Sequence, residues 1–142
     1  MASIADYYTE IKKQPDNYSD FLVNLNVHPN QQDLVKNVNV DAVKRSVRNL
    51  IMTNRNDRLM NADIGADVRR SLFETFSPAL DSILKNSIYY TLKTYEPRAL
   101  LYDDSVIVDA SLDQNYVNVK IIFGIANIVD PVLVEINLKR IR

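Results

Sequence analysis

The sequence contains no cysteine, two glycines and one histidine in 142 residues. The lack of cysteine removes disulfides, iron–sulfur clusters and thiolate zinc sites, and fits an intracellular protein. With only Gly65 and Gly124, the chain carries neither a dinucleotide fingerprint nor a P-loop, because both need several glycines to bring backbone amides against phosphate. The single histidine, His28, precedes Pro29 in a polar stretch with no serine nucleophile or acidic orienter near it in sequence, which argues against a hydrolase triad. No apolar run approaches the roughly 20 residues needed to cross a membrane. Residues 1–13 lack the apolar core of a secretory signal. Charge of neither sign dominates: 17 basic and 18 acidic side chains leave a net charge of −1, so no global attraction draws the chain to nucleic acid or to a membrane.

What is present is a 46% hydrophobic chain, enough for one sizeable core. Residues 1–38 are polar, with Pro15 and Pro29 as breakers, and read as a partly irregular arm. Within it residues 6–13 fit a short helix, and Phe21, Leu22, Val23, Leu25 and Val27 fit one short strand. Residues 39–142 read as the main domain. Val40, Val43, Val47, Leu50 and Ile51 lie on one helical face, with Asn39 as a cap and Asp41 in the first turn. A short helix over residues 66–74 turns Val68, Leu72 and Phe73 inward. Ser77 and Pro78 start a further helix whose buried stripe is Leu80, Ile83, Leu84, Ser87, Ile88, Leu92 and Tyr95. The period then changes to two. Val106, Val108, Ala110 and Leu112 form one alternating set, Val117, Val119, Ile121, Phe123 and Ile125 a second, and Val132, Val134, Ile136 and Leu138 a third. Short connections at residues 113–115 and 127–131 favour antiparallel neighbours. The expected fold class is therefore α+β: a small antiparallel sheet of three to four strands packed on two or three helices.

Chemistry is harder to place. Asp63 and Asp67, four apart, and the adjacent Asp103 and Asp104 match neither a calcium loop nor a zinc spacing, so they read as solvated turn residues, and no metal or cofactor is expected. Glycoside hydrolysis needs a carboxylic acid with a raised pKa. The nearest candidate, Glu96, lies beside Arg98 in the segment Glu96-Pro97-Arg98, and an adjacent cation lowers a carboxylate pKa, which is the wrong direction for a general acid. Proline disfavours helix at the residue before it, so this segment makes a rigid corner between helix and strands that suits docking. Lys44, Arg45, Arg48 and Arg55 lie on one side of the first long helix, as a solvated face or as a surface for an acidic partner protein. Residues 132–141 form a last strand whose edge is either protected by Lys139, Arg140 and Arg142 or open to a strand from another chain.

Taken in order, several segments resemble the baseplate wedge and sheath-initiator proteins of contractile phage tails, a family often labelled lysozyme-like and related to type VI secretion baseplate subunits. They are Tyr18-Ser19-Asp20-Phe21, His28-Pro29, Asp33-Leu34, the run from Ala42 to Asn54, Asp57-Arg58, Gly65, Leu72-Phe73-Glu74 and Tyr95-Glu96-Pro97-Arg98. Where family members often show a proline–glycine turn, this chain has Arg55-Asn56-Asp57-Arg58. Where they often show Asn-Pro, an acidic residue, Phe and Gly, it has Asn61-Ala62-Asp63-Ile64-Gly65. The resemblance implies a non-enzymatic virion protein of the tail baseplate, assembled in the host cytoplasm and arranged six-fold around the tail tube. Glu96, Pro97 and Arg98 would dock on other wedge proteins. A sheet like the sheath's interlocking domain would offer its edge, Val132, Val134, Ile136 and Leu138, to the tail sheath protein. The alternative the label carries is a tail-associated peptidoglycan hydrolase using Glu96 or Glu74 as acid.

Overall fold

The computed structural model describes residues 18–73, 79–111 and 116–139, except Val23, Gln31 and Asn127. The expected helix at residues 6–13, the Ser77-Pro78 helix start, the turn at 113–115 and the end of the last strand beyond Lys139 lie outside the described residues. The chain divides into two compact units, Met1–Asn39 and Val40–Arg142.

The first unit holds β1 (Ser19–Phe21) and β2 (Lys36–Val38), paired antiparallel with Asp20 opposite Asn37, and a bridge between Val27 and Leu34. The strand expected along Phe21–Val27 stops at Phe21. Leu25 takes a left-handed φ of 48° and donates its N–H to the Leu22 carbonyl at 3.1 Å, which turns the chain. Asn39 was expected only as a helix cap. Its φ is 51°, its N–H donates to the Tyr18 carbonyl at 2.7 Å and its Oδ1 accepts the Tyr18 N–H at 3.4 Å, so it closes the β1–β2 pair.

The second unit holds α1 (Val40–Met52), α2 (Val68–Ser71), α3 (Leu80–Tyr95), β3 (Ala99–Ser111), β4 (Tyr116–Ile125) and β5 (Ile128–Lys139). With the paired strands of the first unit, this is the expected α+β class. The three long strands form one antiparallel sheet in the order β3-β4-β5. Its inner face, including Val106, Val119, Ile121, Phe123, Val134 and Ile136, is buried, with α3 packed on β3 and α1 on β5. Helix α1 buries Val43, Val47, Leu50 and Ile51 as its spacing predicts, and Ala42 besides. Helix α2 is shorter than expected, and Phe73, expected inward, is 66% exposed.

Helix α3 buries Leu80, Leu84, Ile88, Thr91 and Leu92. Ile83, expected in this stripe, is exposed, and two hydroxyls serve the packed face instead. Ser87 Oγ donates to the Ala66 carbonyl at 3.1 Å and Thr91 Oγ1 to the Gly65 carbonyl at 3.1 Å, each satisfying a backbone acceptor of the preceding loop.

Strand β3 begins seven residues before its alternating pattern becomes visible. Leu101 pairs with Phe123 and Val106 with Ile121, so four residues of β3 stand opposite one of β4. This bulge adds an odd number of residues and therefore moves the inward side from Ala99 to the even-numbered Val106. Tyr102 N–H donates to Ser105 Oγ at 2.5 Å within it. Strand β5 likewise starts at Ile128, before the expected turn ends. Pro131 sits in a second irregularity, where Ile125 opposite Ile128 gives way to Phe123 opposite Val132. An edge strand tolerates proline there because no ladder bond is lost on its free side.

The loop from Thr53 to Asp67 is folded back on itself. Gly65 has φ 139°, and a Cβ added there would lie 2.5 Å from the Thr53 carbonyl oxygen and 2.7 Å from Asn54 C. Both the backbone conformation and the close approach require glycine. Gly65→Ala is expected to destabilise the protein by roughly 2–4 kcal/mol, read as a lower urea midpoint with unchanged slope. A midpoint equal to wild type would show that the loop does not pack in this way.

Candidate functional site

Helix α3 ends where Pro97, which has no N–H of its own and a fixed φ, disfavours helical geometry at Glu96 before it. Glu96 leaves helical geometry at φ −130°, ψ 69°, while its N–H still donates to the Leu92 carbonyl at 2.9 Å. Its carbonyl accepts the Ala99 N–H at 3.1 Å. Glu96 to Ala99 is thus a four-residue turn with proline in the second place, and β3 starts at its last residue.

The turn places a carboxylate inside the protein. Glu96 is 2% exposed. Arg98 reaches back over Pro97 with a two-pronged grip: Nε lies 2.5 Å from Oε1 and Nη2 donates to Oε2 at 2.8 Å. Ser46 of α1 donates its hydroxyl to the same Oε2. The fork geometry of a guanidinium matches both carboxylate oxygens at once, which a lysine does not reproduce. Burial pushes the Glu96 pKa up. The hydrogen bonds from Arg98 and Ser46 and the positive charge of Arg98 outweigh it and hold the carboxyl below its ordinary value. Glu96 is an ionised acceptor at neutral pH, unsuited to protonating a leaving group.

The docking residues named from the sequence therefore divide. Glu96 faces inward, Pro97 is exposed and Arg98 keeps about a third of its side chain, 34%, in water. On α1, Arg45 is half-buried and Arg48 exposed, on the helix whose Ser46 touches the corner. Val132, Val134, Ile136 and Leu138 are buried in the core, so their side chains are not a binding surface in this fold. What β5 presents outward is Leu133, Glu135, Asn137 and Lys139, together with the backbone of a strand paired on one side only, with β4. Ser46 was not singled out by sequence reasoning. A lone hydroxyl beside Lys44 and Arg45 reads as solvent-facing until the corner is folded against it.

Other polar groupings are structural. Lys120 Nζ lies 3.6 Å from Glu135 Oε1 on the outer sheet face, and Asn118 donates to the same oxygen at 3.1 Å. Among the described residues no three His, Cys, Asp or Glu side chains gather as a metal site.

These features meet in an α+β protein whose one buried charge cluster lies, among the described residues, at a helix-to-strand corner. The chain belongs to the family of baseplate wedge protein gp25, whose model matches residues 38–127 and so spans the corner and most of the sheet. It is a structural component of a contractile phage-type tail baseplate. Its fold is similar to a chain in the six-fold symmetrised baseplate of the anti-feeding prophage, at 27% identity and a TM-score of 0.65, covering 80% of this chain and 89% of that one. It is also similar to a candidate tail lysozyme from Geobacter sulfurreducens, at 18% identity and a TM-score of 0.59, covering 70% of this chain and 89% of that one; this likeness shows the fold alone. No curated protein matches the sequence.

Two outcomes follow from the corner. Arg98→Ala leaves the Glu96 carboxylate buried without its cation. The expected loss is about 2–3 kcal/mol, below the 3–5 kcal/mol of a fully buried pair because Arg98 is partly solvated; a urea midpoint equal to wild type would contradict the pairing. The stability difference between wild type and Glu96→Gln also depends on pH. A carboxyl held below its ordinary value stabilises the fold above that value, so the difference is flat near neutrality. It shrinks as pH falls below the ordinary glutamate range and through the lowered folded value. A difference that grows on acidification would reverse the sign assigned here.

Proposed function

We propose that this protein is a non-enzymatic wedge component that docks on other baseplate proteins and starts the first ring of the tail sheath. The observation that carries the reading is the family match over residues 38–127 together with the pinned corner inside it. The unit formed by residues 39–142 acts as the assembly domain, and residues 1–38 as its arm. Docking runs through Pro97 and the exposed part of Arg98, with Arg45 and Arg48 of α1 flanking. Glu96 acts from beneath, holding the guanidinium at a set angle, so a partner meets a preorganised cation rather than a mobile one.

The free edge of β5 accepts a strand from the sheath protein by backbone pairing. Affinity then comes from main-chain hydrogen bonds, and Leu133, Glu135 and Asn137 on the outer face set register. The place of action is the baseplate of the virion, six-fold around the tail tube, after assembly in the host cytoplasm. Similarity to a chain in a six-fold symmetrised baseplate supports this arrangement. Peptidoglycan hydrolysis is disfavoured because Glu96 is ionised and both its oxygens are occupied.

Arg98→Lys is the cleaner test of docking, since it keeps the charge and loses the fork. It is expected to reduce completed baseplates at least tenfold while the purified chain still unfolds cooperatively; normal tails would sink the docking claim. For the sheath contact, the absence of native cysteine allows single-cysteine mapping. A cysteine at Glu135 or Asn137 is expected to form a disulfide with one placed on a sheath strand, in alternating register. Tails that carry sheath but give no crosslink along β5 would refute strand addition.

A further inference from the structure

The outer face of the β3-β4-β5 sheet, opposite the one on which α1 and α3 pack, carries a cluster of large apolar side chains. Leu100, Tyr102, Ile107, Ile122 and Leu133 are each between 38% and 62% exposed. Register makes them neighbours: Ile122 pairs with Leu133, Leu100 with Gly124, and Ile107 with Lys120, the next outward residue of β4. Gly124 leaves a low point among them. A Cβ added there would lie 3.1 Å from the Tyr102 hydroxyl oxygen, so the Tyr102 side chain reaches over it from β3. The two bulges flank the cluster, with residues 102–105 of β3 opposite Ile122 and residues 129–131 of β5 opposite Gly124. Apolar side chains exposed as a cluster, unlike single ones, mark an interaction surface, and bulges recur beside such places.

Charge selects what covers this face. Asp103 lies in the first bulge, Asp130 in the second, and Asp109 is the next outward residue after Ile107. All three are exposed and make no ion pair or hydrogen bond among the described residues. The lysines beside the cluster are already engaged, Lys120 with Glu135 at 3.6 Å and Lys85 with Asp104 at 3.4 Å, and Lys139 lies at the far end, opposite Tyr116. The surplus of carboxylates repels phosphates, so nucleic acid and anionic bilayers do not fit. A second copy docked face to face would set these carboxylates against themselves. Nor do the chain's other surfaces supply the complement. Phe73 beside Arg69 and Arg70 is one ring on a four-residue helix, and Ile83 and Tyr90 have Asn86 and Ser87, not cations, between them on α3. Residues 1–17 carry Asp6, Glu10 and Asp16 against Lys12 and Lys13.

Shape selects the element. From β3 to β5 the sheet is roughly 10 Å across, about one helix diameter, and from Lys120 to Gly124 it runs roughly 13 Å, about two and a half helical turns. The face presents side chains rather than unpaired backbone, so a helix fits it better than a strand. We propose that this face receives an amphipathic helix from a different baseplate protein. The helix sets its apolar row on Tyr102, Ile107 and Ile122 and its flanking Lys or Arg side chains against Asp103, Asp109 and Asp130. The inference rests on the chain being in the baseplate and adds a contact to those at the Arg98 corner and the β5 edge.

The test uses whole tails from a producing strain. Ile107→p-benzoylphenylalanine, photolysed in purified tails, is expected to crosslink to a different baseplate protein, on a helical segment with Lys or Arg within one turn of the crosslinked residue. Asp103→Lys combined with Asp130→Lys is expected to lower the copies of this chain per tail at least tenfold. The urea midpoint of the purified chain should not fall, because neither carboxylate is paired in the monomer. Asp103→Asn with Asp130→Asn, a milder change should the lysine variant fold poorly, is expected to lower incorporation severalfold. Crosslinks only to a second copy, to the chain's own residues 1–17 or to an acidic segment, no crosslink, or normal incorporation of the lysine or asparagine pair would each overturn the proposal. The Arg98→Lys and β5 crosslinking outcomes are read separately, so a failure at the corner or the edge is distinguishable from a failure here.

Discussion

A carboxylate with almost no access to water sits where α3 gives way to β3, and its two oxygens are taken by Arg98 and Ser46. Three elements meet at this group: α1 through Ser46, the end of α3 through Glu96, and the start of β3 through the turn that Arg98 belongs to. An unpaired carboxylate there would be costly to bury, so the sheet, the two long helices and the Arg98 side chain are tied to one arrangement. The same pairing keeps the acid ionised. The one glutamate buried among the described residues is thus held in the state least useful for general-acid chemistry.

The second constraint is polar and easily overlooked. Ser87 and Thr91 of α3 hold the Ala66 and Gly65 carbonyls, and Gly65 lets the loop lie against the end of α1. The loop's shape is therefore set by the helix it crosses as well as by its own turns. That a wedge component should present rigid surfaces fits this construction, because ordered loops and pinned arginines give up less entropy on assembly than mobile ones.

The sheet divides labour between its faces and its edge. The inner row of β5 belongs wholly to the core, which leaves the backbone edge and the outward Leu133, Glu135, Asn137 and Lys139 as the parts another chain can reach. Pro131 and the irregularity beside it occupy the start of β5, so regular pairing with β4 runs from Val132 onward.

Much of this was legible in the residues themselves. Period 3.6 from Val40 to Ile51 and period two from Val117 to Ile125 specify amphipathic elements whatever surrounds them, because a buried face must repeat with the geometry of its element. The Glu96-Pro97-Arg98 corner could be named for the same reason: proline acts locally on its neighbours. Other features depended on contacts between distant segments. The early part of β3 was hidden because its bulge reverses the alternation at Val106, so no single period spans the strand. Thr91 went inward because the Gly65 carbonyl, not an apolar surface, faces that part of α3, while nothing in the spacing shows why Ile83 is left exposed. Val132, Val134, Ile136 and Leu138 read equally well as a core row or as a docking row, and only packing against α1 decided for the core. The sequence by itself determined the class of fold, the corner and the family. Tertiary structure alone decided that Glu96 faces inward and Arg98 partly outward, since a carboxylate's direction depends on which hydroxyl and which guanidinium are brought to it.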